Sequence, residues 1–189
     1  MGQPLQLTNP VFQNRHLTVV IWRKRGGIDA LQNGHAALII DTVGFRVNLD
    51  DDYVSWLSTG TGNLFKNRAA TSRFLDDAEN WGGTEVGDHG YHMPNRWVAL
   101  KGMDVRRMRD AWEQMKGKER AHWKMLDKNC ATAVARILKA GGGDDFATAH
   151  KKQLTWWPTD VIKYAKSMGA NVVLTSDDQG LGNAAGAGH

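Results

Sequence analysis

The chain holds a single cysteine, Cys130. It stands in Leu126-Asp-Lys-Asn-Cys-Ala-Thr-Ala-Val134, where polar residues end at Asn129 and a helical apolar pattern begins. That spacing sets the thiol at a helix N-terminus. Unpaired backbone N–H groups and the positive end of the helix dipole there favour thiolate over thiol, and Lys128 adds a nearby positive charge. His35 opens a strand in Gly34-His-Ala-Ala-Leu-Ile-Ile40. A strand-borne imidazole and a helix-start thiol are the pair that thiol hydrolases need: a base for the proton and a dipole to hold the charge. Each residue also has a plainer reading, the Cys as a small buried hydrophobe and the His as a strand cap. Asn129 reads as the helix cap, and the Cys130 backbone N–H as an oxyanion donor.

Other candidates carry less. His89 and His92 in Asp88-His-Gly-Tyr-His92 have two imidazoles but lack a third ligand and a helical frame, so no metal and no cofactor is expected. Asp50-Asp51-Asp52 lacks the later Gly and Glu of a calcium loop and reads as a turn. No phosphate-binding GxxxxGK[ST] occurs. His122 and His150 read as surface residues.

The elements that must position the pair follow from periodicity. Leu17 to Arg23 and His35 to Asp41 read as strands, with Phe45 to Leu49 and Tyr53 to Leu57 as a third and fourth in an antiparallel meander. Residues 58–95 are Gly-rich and aperiodic apart from a short helix over Ser72 to Asn80, and are expected to wall or cover the site. Arg96 to Lys101 resumes as a strand. Asp104 caps a helix with Val105, Met108, Trp112 and Met115 on one face. A second helix runs from Asn129 to Gly141, a third has Pro158 in its first turn, and Asn171 to Thr175 reads as a last strand. The expectation is one α+β domain over residues 1–175, with a flexible Gly- and Ala-rich tail over 176–189.

Length and charge bound the remainder. The 189 residues suit one domain, and eight Trp supply buried area to a chain that is 41% hydrophobic. One Cys excludes an internal disulfide framework and a Cys-based zinc site. No apolar run reaches 18 residues, so no transmembrane segment is expected. The N-terminal residues lack the basic and apolar regions of a signal peptide, so synthesis in the cytoplasm is expected, and export by a route without a cleaved signal. The net charge of +4 is spread among acidic residues, which disfavours a nucleic-acid module, whose charge gathers on one face.

Gly34-His35-Ala36-Ala37-Leu38, then Tyr53-Val-Ser-Trp56, then Asn129-Cys130 at a helix start resemble the circularly permuted papain-like hydrolases. These are relatives of the NlpC-type cell-wall amidases and of lecithin retinol acyltransferase. In the permuted group the His strand precedes the Cys helix, as it does here. Thr155-Trp-Trp-Pro-Thr-Asp-Val161 resembles a segment of bacterial effector or toxin versions. The resemblance covers roughly residues 15–170. It implies a permuted papain-like α+β fold, with an antiparallel sheet packed on helices, Cys130 as nucleophile, His35 as base and a third polar residue that orients the imidazole, open between Asn48 and Ser55, with Asn48 preferred because an amide oxygen accepts the proton of the other ring nitrogen. It implies a thiol hydrolase, an amidase or peptidase with deamidase or acyltransferase as variants, acting on a peptide or amide-bearing substrate of cell wall or protein. It further implies a toxin exported by a dedicated machine such as type VI secretion, with room for an immunity protein. The alternatives are a non-catalytic binding module and a nuclease-type toxin on a basic, Trp-rich surface.

Overall fold

Leu17–Trp22 and His35–Ile39 form β1 and β2, an antiparallel pair in which Trp22 stands opposite His35. In this computed structural model the described residues are 17–22, 34–41, 51–59, 67–81, 94–119 and 121–176. Every residue of both strands is buried. Successive side chains in a strand face opposite ways, so burial throughout requires cover on both faces of the sheet. The near-continuous apolar runs in the sequence have this cause.

The remaining elements supply that cover. Tyr53–Val54 is β3, Leu57–Ser58 is β4 and Asn67–Ala70 is β5. Phe74–Trp81 is α1, Arg96–Leu100 is β6 and Val105–Lys116 is α2. His122–Trp123 is β7, Cys130–Ala140 is α3, Gly143–Phe146 is α4, Pro158–Lys166 is α5 and Val172–Thr175 is β8. The main sheet has the order β3-β2-β1-β6-β8, all antiparallel, and a second sheet has the order β4-β5-β7. One face of the main sheet, through Val19, Ile21, Leu38 and Val98, packs on Met108, Trp112, Val134, Ile137, Val161 and Tyr164 of α2, α3 and α5. The other face, through Val20, Trp22, Ile39 and Trp97, packs on Phe74 and Ala78 of α1. The chain is thus α+β, with antiparallel sheets packed against helices.

Local signals set the helix ends. Asp104 accepts from the Arg107 backbone N–H at the start of α2, and Asn129 accepts from that of Thr132 at the start of α3, as N-cap side chains do. Pro158 opens α5, where its missing N–H costs nothing. Arg109 of α2 reaches Asp52 at 2.6 Å and Asp41 at 3.3 Å, tying the two ends of the β2–β3 connection to a helix.

The strands depart from the sequence expectation in two places. The strand expected from Tyr53 to Leu57 divides: Tyr53 and Val54 pair with β2, and Leu57 and Ser58 pair with β5. The chain changes sheets at Ser55 and Trp56, which releases both side chains inward. The meander ends at β1, whose other neighbour is β6. The strand expected over Phe45 to Leu49, and the tail beyond Ser176, lie outside the described residues.

Candidate active site

α3 approaches β2 closely because the residues at the crossing are small. Ala36 follows His35, Ala131 follows Cys130, and both are fully buried. Their backbone N–H groups both reach the Cys130 sulfur. The thiol therefore lies against the start of β2, in hydrogen-bond contact with the His35 ring. Cys130 is partly exposed, whereas His35 is 1% exposed.

The ring is held from behind. His35 Nε2 lies 2.9 Å from Ser55 Oγ and 3.0 Å from Asp77 Oδ2. Both contacts use Nε2, which leaves Nδ1 as the nitrogen available to the thiol. Asp77 Oδ2 also accepts from Tyr53 Oη at 2.8 Å, and Tyr53 Oη accepts from Trp22 Nε1 at 3.1 Å. Trp81 stacks on the imidazole, with ring centroids 5.5 Å apart and planes inclined by 25°. His35 thus occupies the end of β2, where the layers on the two faces of the sheet meet: Asp77 and Trp81 come from α1, and Cys130 from α3.

Charge follows this geometry. Burial opposes a charged His35, but the Asp77 carboxylate and the Cys130 sulfur outweigh it, and the imidazole is pushed up to about 10. Burial likewise opposes a thiolate. The His35 charge, its hydrogen bond and the Ala36 and Ala131 N–H groups outweigh that too, holding the thiol below its ordinary value. Burial raises Asp77, while His35 and the His35 and Tyr53 hydrogen bonds bring it below the usual carboxylate range. Each member of the row is thus shifted toward its charged form, thiolate, imidazolium and carboxylate, the kind of arrangement that makes a cysteine nucleophilic.

Backbone donors lie at the same point. Asn129 Oδ1 takes the Thr132 N–H at 2.8 Å, and the Asn129 carbonyl takes the Ala133 N–H at 3.1 Å. The Cys130 N–H, at the first helical position, remains at the open end of the helix. Asn129 is itself fixed, donating to the Met125 and Trp156 carbonyls at 2.7 and 2.8 Å.

Of the residues singled out in the sequence, His35 and Cys130 are brought together, and Ser55 reaches the ring. Asn48, His89 and His92 lie outside the described residues. His122 is half-buried in β7, and His150 holds a positive φ of 62° and contacts Gln153. Among the described residues no three His, Cys, Asp or Glu side chains gather as a metal site, and no helix is long and apolar enough to cross a membrane. Asp77 was not among the sequence candidates. Its signal is a carboxylate on the apolar face of a short helix: Phe74, Ala78 and Trp81 repeat at helical spacing, and Asp77 lies between them.

The model of the IcsB middle domain family matches residues 67–180, more than half of the chain. The chain belongs to the IcsB middle domain family. The matched span contains Asp77 and Cys130, while His35 and Ser55 precede it. Two curated relatives carry the name multifunctional-autoprocessing repeats-in-toxin. The Vibrio vulnificus protein is 33% identical over 73 residues, covering 38% of this chain and 1% of the toxin. That of Vibrio cholerae serotype O1 is 33% identical over 73 residues, covering 38% of this chain and 2% of the toxin. The chain thus corresponds to a very small part of these relatives. No solved structure matches. The family and the named relatives fit a domain of bacterial toxin or effector kind.

Proposed function

We propose that the chain is a cysteine-dependent hydrolase or acyltransferase of permuted papain-like type, working within a bacterial effector or toxin. The observation that carries this reading is the His35 ring, held between the Cys130 thiol and the Asp77 carboxylate. The order of the chain, His strand first and Cys helix later, supports the permuted form.

The chemistry follows from the charge state. The Cys130 thiolate attacks a carbonyl carbon, and the carbonyl π electrons move to oxygen. The Cys130 backbone N–H, at the helix start, hydrogen-bonds that oxyanion. The oxyanion collapses, the bond to the leaving amine or alkoxide breaks, and the His35 imidazolium gives the leaving atom its proton. A thioester on Cys130 remains. Water or an amine, deprotonated by the now neutral His35, attacks the thioester and restores the thiolate. Asp77 and Ser55 hold the ring plane throughout, and Asp77 stabilises each imidazolium stage. Amide bonds of peptides, in cell wall or in a target protein, are the favoured substrates, with export by a dedicated secretion machine.

The test is direct detection of the acyl-enzyme. Native protein exposed to a p-nitrophenyl ester should gain an acyl group that peptide mapping places on Cys130. Cys130→Ala should gain none, and His35→Ala should react at least about a hundredfold more slowly. Peptidoglycan and candidate target proteins, analysed by mass spectrometry after exposure, then identify the bond. An adduct distributed over surface lysines, and none on Cys130, would overturn the reading in favour of a binding module.

A further inference from the structure

A second feature lies against the side of α3 that carries Thr132, Ala133 and Arg136. Between the C-terminal end of α2, β7 and α3 lies a cavity of about 290 Å³, close to the lower end of the size range of small-molecule sites. Its cationic lining comes from Lys118, Lys128 and Arg136, against the single carboxylate of Glu119. None of these three cations takes part in an ion pair among the described residues. Trp56 and Met115 give it an apolar wall. Thr132 also lines it, is only 6% exposed, and its hydroxyl has no hydrogen-bond partner among the described residues. A buried hydroxyl without a partner is costly unless something else satisfies it.

We propose that this cavity binds a phosphate-bearing ligand. Three cations against one carboxylate leave an excess of two positive charges. A phosphate monoester carries about −1.5 to −2 near neutrality, whereas a carboxylate leaves half of that excess unbalanced. Phosphate oxygens also accept several hydrogen bonds at once, which suits a planar guanidinium, two ammonium groups and a hydroxyl arriving from different elements. The apolar wall accommodates the carbon portion that follows the phosphate. Asn129, which precedes the nucleophile, lines the same cavity, so a bound ligand sits beside Cys130 without requiring its chemistry.

Calorimetric titration with inorganic pyrophosphate tests the site. Wild-type protein and Cys130→Ala should bind it equally and saturably, whatever becomes of the hydrolase reading. Affinity should fall with rising salt. The double variant Lys128→Gln/Arg136→Gln should bind at least tenfold more weakly, and Thr132→Val severalfold more weakly. The two changed cations are at most half-buried, so the double variant decides the matter if Thr132→Val fails to fold. A parallel arm uses phosphatidylcholine vesicles with and without phosphatidylinositol 4-phosphate. Binding of free pyrophosphate marks a soluble ligand, and cosedimentation only with the phosphorylated lipid marks a headgroup. Absence of saturable binding in both arms, or binding that the double variant leaves unchanged, overturns the proposal.

Discussion

Asp77 Oδ2 and His35 Nε2 are 3.0 Å apart, and both side chains are buried, at 0% and 1% exposure. The two residues lie 42 positions apart in the chain. Their contact joins the helical layer on one face of the sheet to the strand end that faces the thiol on the other. A buried ion pair is a poor source of net stability, because desolvation offsets the attraction. Breaking it by removing one partner is a different matter, since an uncompensated charge is left inside. The pair therefore fixes an orientation and a protonation state more than it holds the fold.

Asp77→Asn is expected to keep the shape and lose the charge. Without the carboxylate, the imidazole falls from about 10 toward or below its ordinary value, because burial then dominates. The thiol in turn rises as it loses its charged partner. Acylation of Cys130 should slow by about a hundredfold or more, and Asp77→Ala should also lower stability by about 3–5 kcal/mol. Single-turnover acylation and urea denaturation of both variants separate these effects. An Asp77→Asn protein that acylates at the wild-type rate would remove Asp77 from the site.

Tyr53→Phe addresses the row behind the carboxylate. It deletes the 2.8 Å donation to Asp77 and leaves Trp22 Nε1 without its acceptor. A buried donor left unsatisfied costs about 1–3 kcal/mol. Asp77 also loses a hydrogen bond that favours its charged form, so its pKa rises. In the wild type the Asp77 pKa is depressed on folding, so its contribution to stability is present above about 3.9 and is lost as pH falls through the lowered native value. Tyr53→Phe should shift that acid loss to higher pH. Stability measured against pH below 5 in both proteins gives the answer, and coincident curves would show that the hydroxyl does not support the carboxylate.

Asn129→Ala removes the cap of α3 and both anchors of the Cys130 loop. The cap is worth about 0.5–2 kcal/mol. The Met125 and Trp156 carbonyls lose their donor as well. Asn129→Asp keeps the cap acceptor but places a charge beside those carbonyls, and should be no better. Chemical denaturation should rank wild type above both variants. A wild-type midpoint in Asn129→Ala would mean that the loop is held by other contacts.

The legible parts of this fold are those encoded locally. Asn129 before Cys130, Asp104 before Val105 and Pro158 in a first turn each carry their meaning within a few residues, and each lies at a helix start. β1 and β2 are near-continuous apolar runs, buried throughout. The break at Ser55 was not legible, because Tyr53 to Leu57 contains no Gly or Pro to mark it. The second sheet is not legible in the sequence because two of its three strands, Leu57–Ser58 and His122–Trp123, are two residues long. The helical phase of Asp77, on the apolar face with Phe74 and Ala78, marks it off from its partly exposed neighbour Asp76, but its partner His35 is set only by the tertiary meeting of α1 with β2. Nothing local separates Ser55, which contacts the ring, from the preferred Asn48.

The thiol itself supplies the most direct measurement. A free cysteine titrates near roughly 8.5. Here burial pushes the thiol up, and the His35 imidazolium with two backbone N–H groups pulls it below the ordinary value. Iodoacetamide alkylation rate against pH should therefore inflect below the ordinary cysteine value and reach a plateau above that inflection. The plateau should change again near 10, where the imidazolium loses its proton. Because His35 is raised on folding, its pairing energy is fully present below about 6.5 and fades as pH rises through about 10. High pH should then both loosen the protein and discharge the pair. His35→Ala leaves burial to dominate, so its inflection should move above that of the wild type. Cys130→Ala loses little volume and should unfold at nearly the wild-type denaturant concentration. A wild-type protein that resists alkylation from pH 5 to 10 and reacts only when unfolded would make Cys130 a packed core residue, and the acyl-enzyme reading would fall with it.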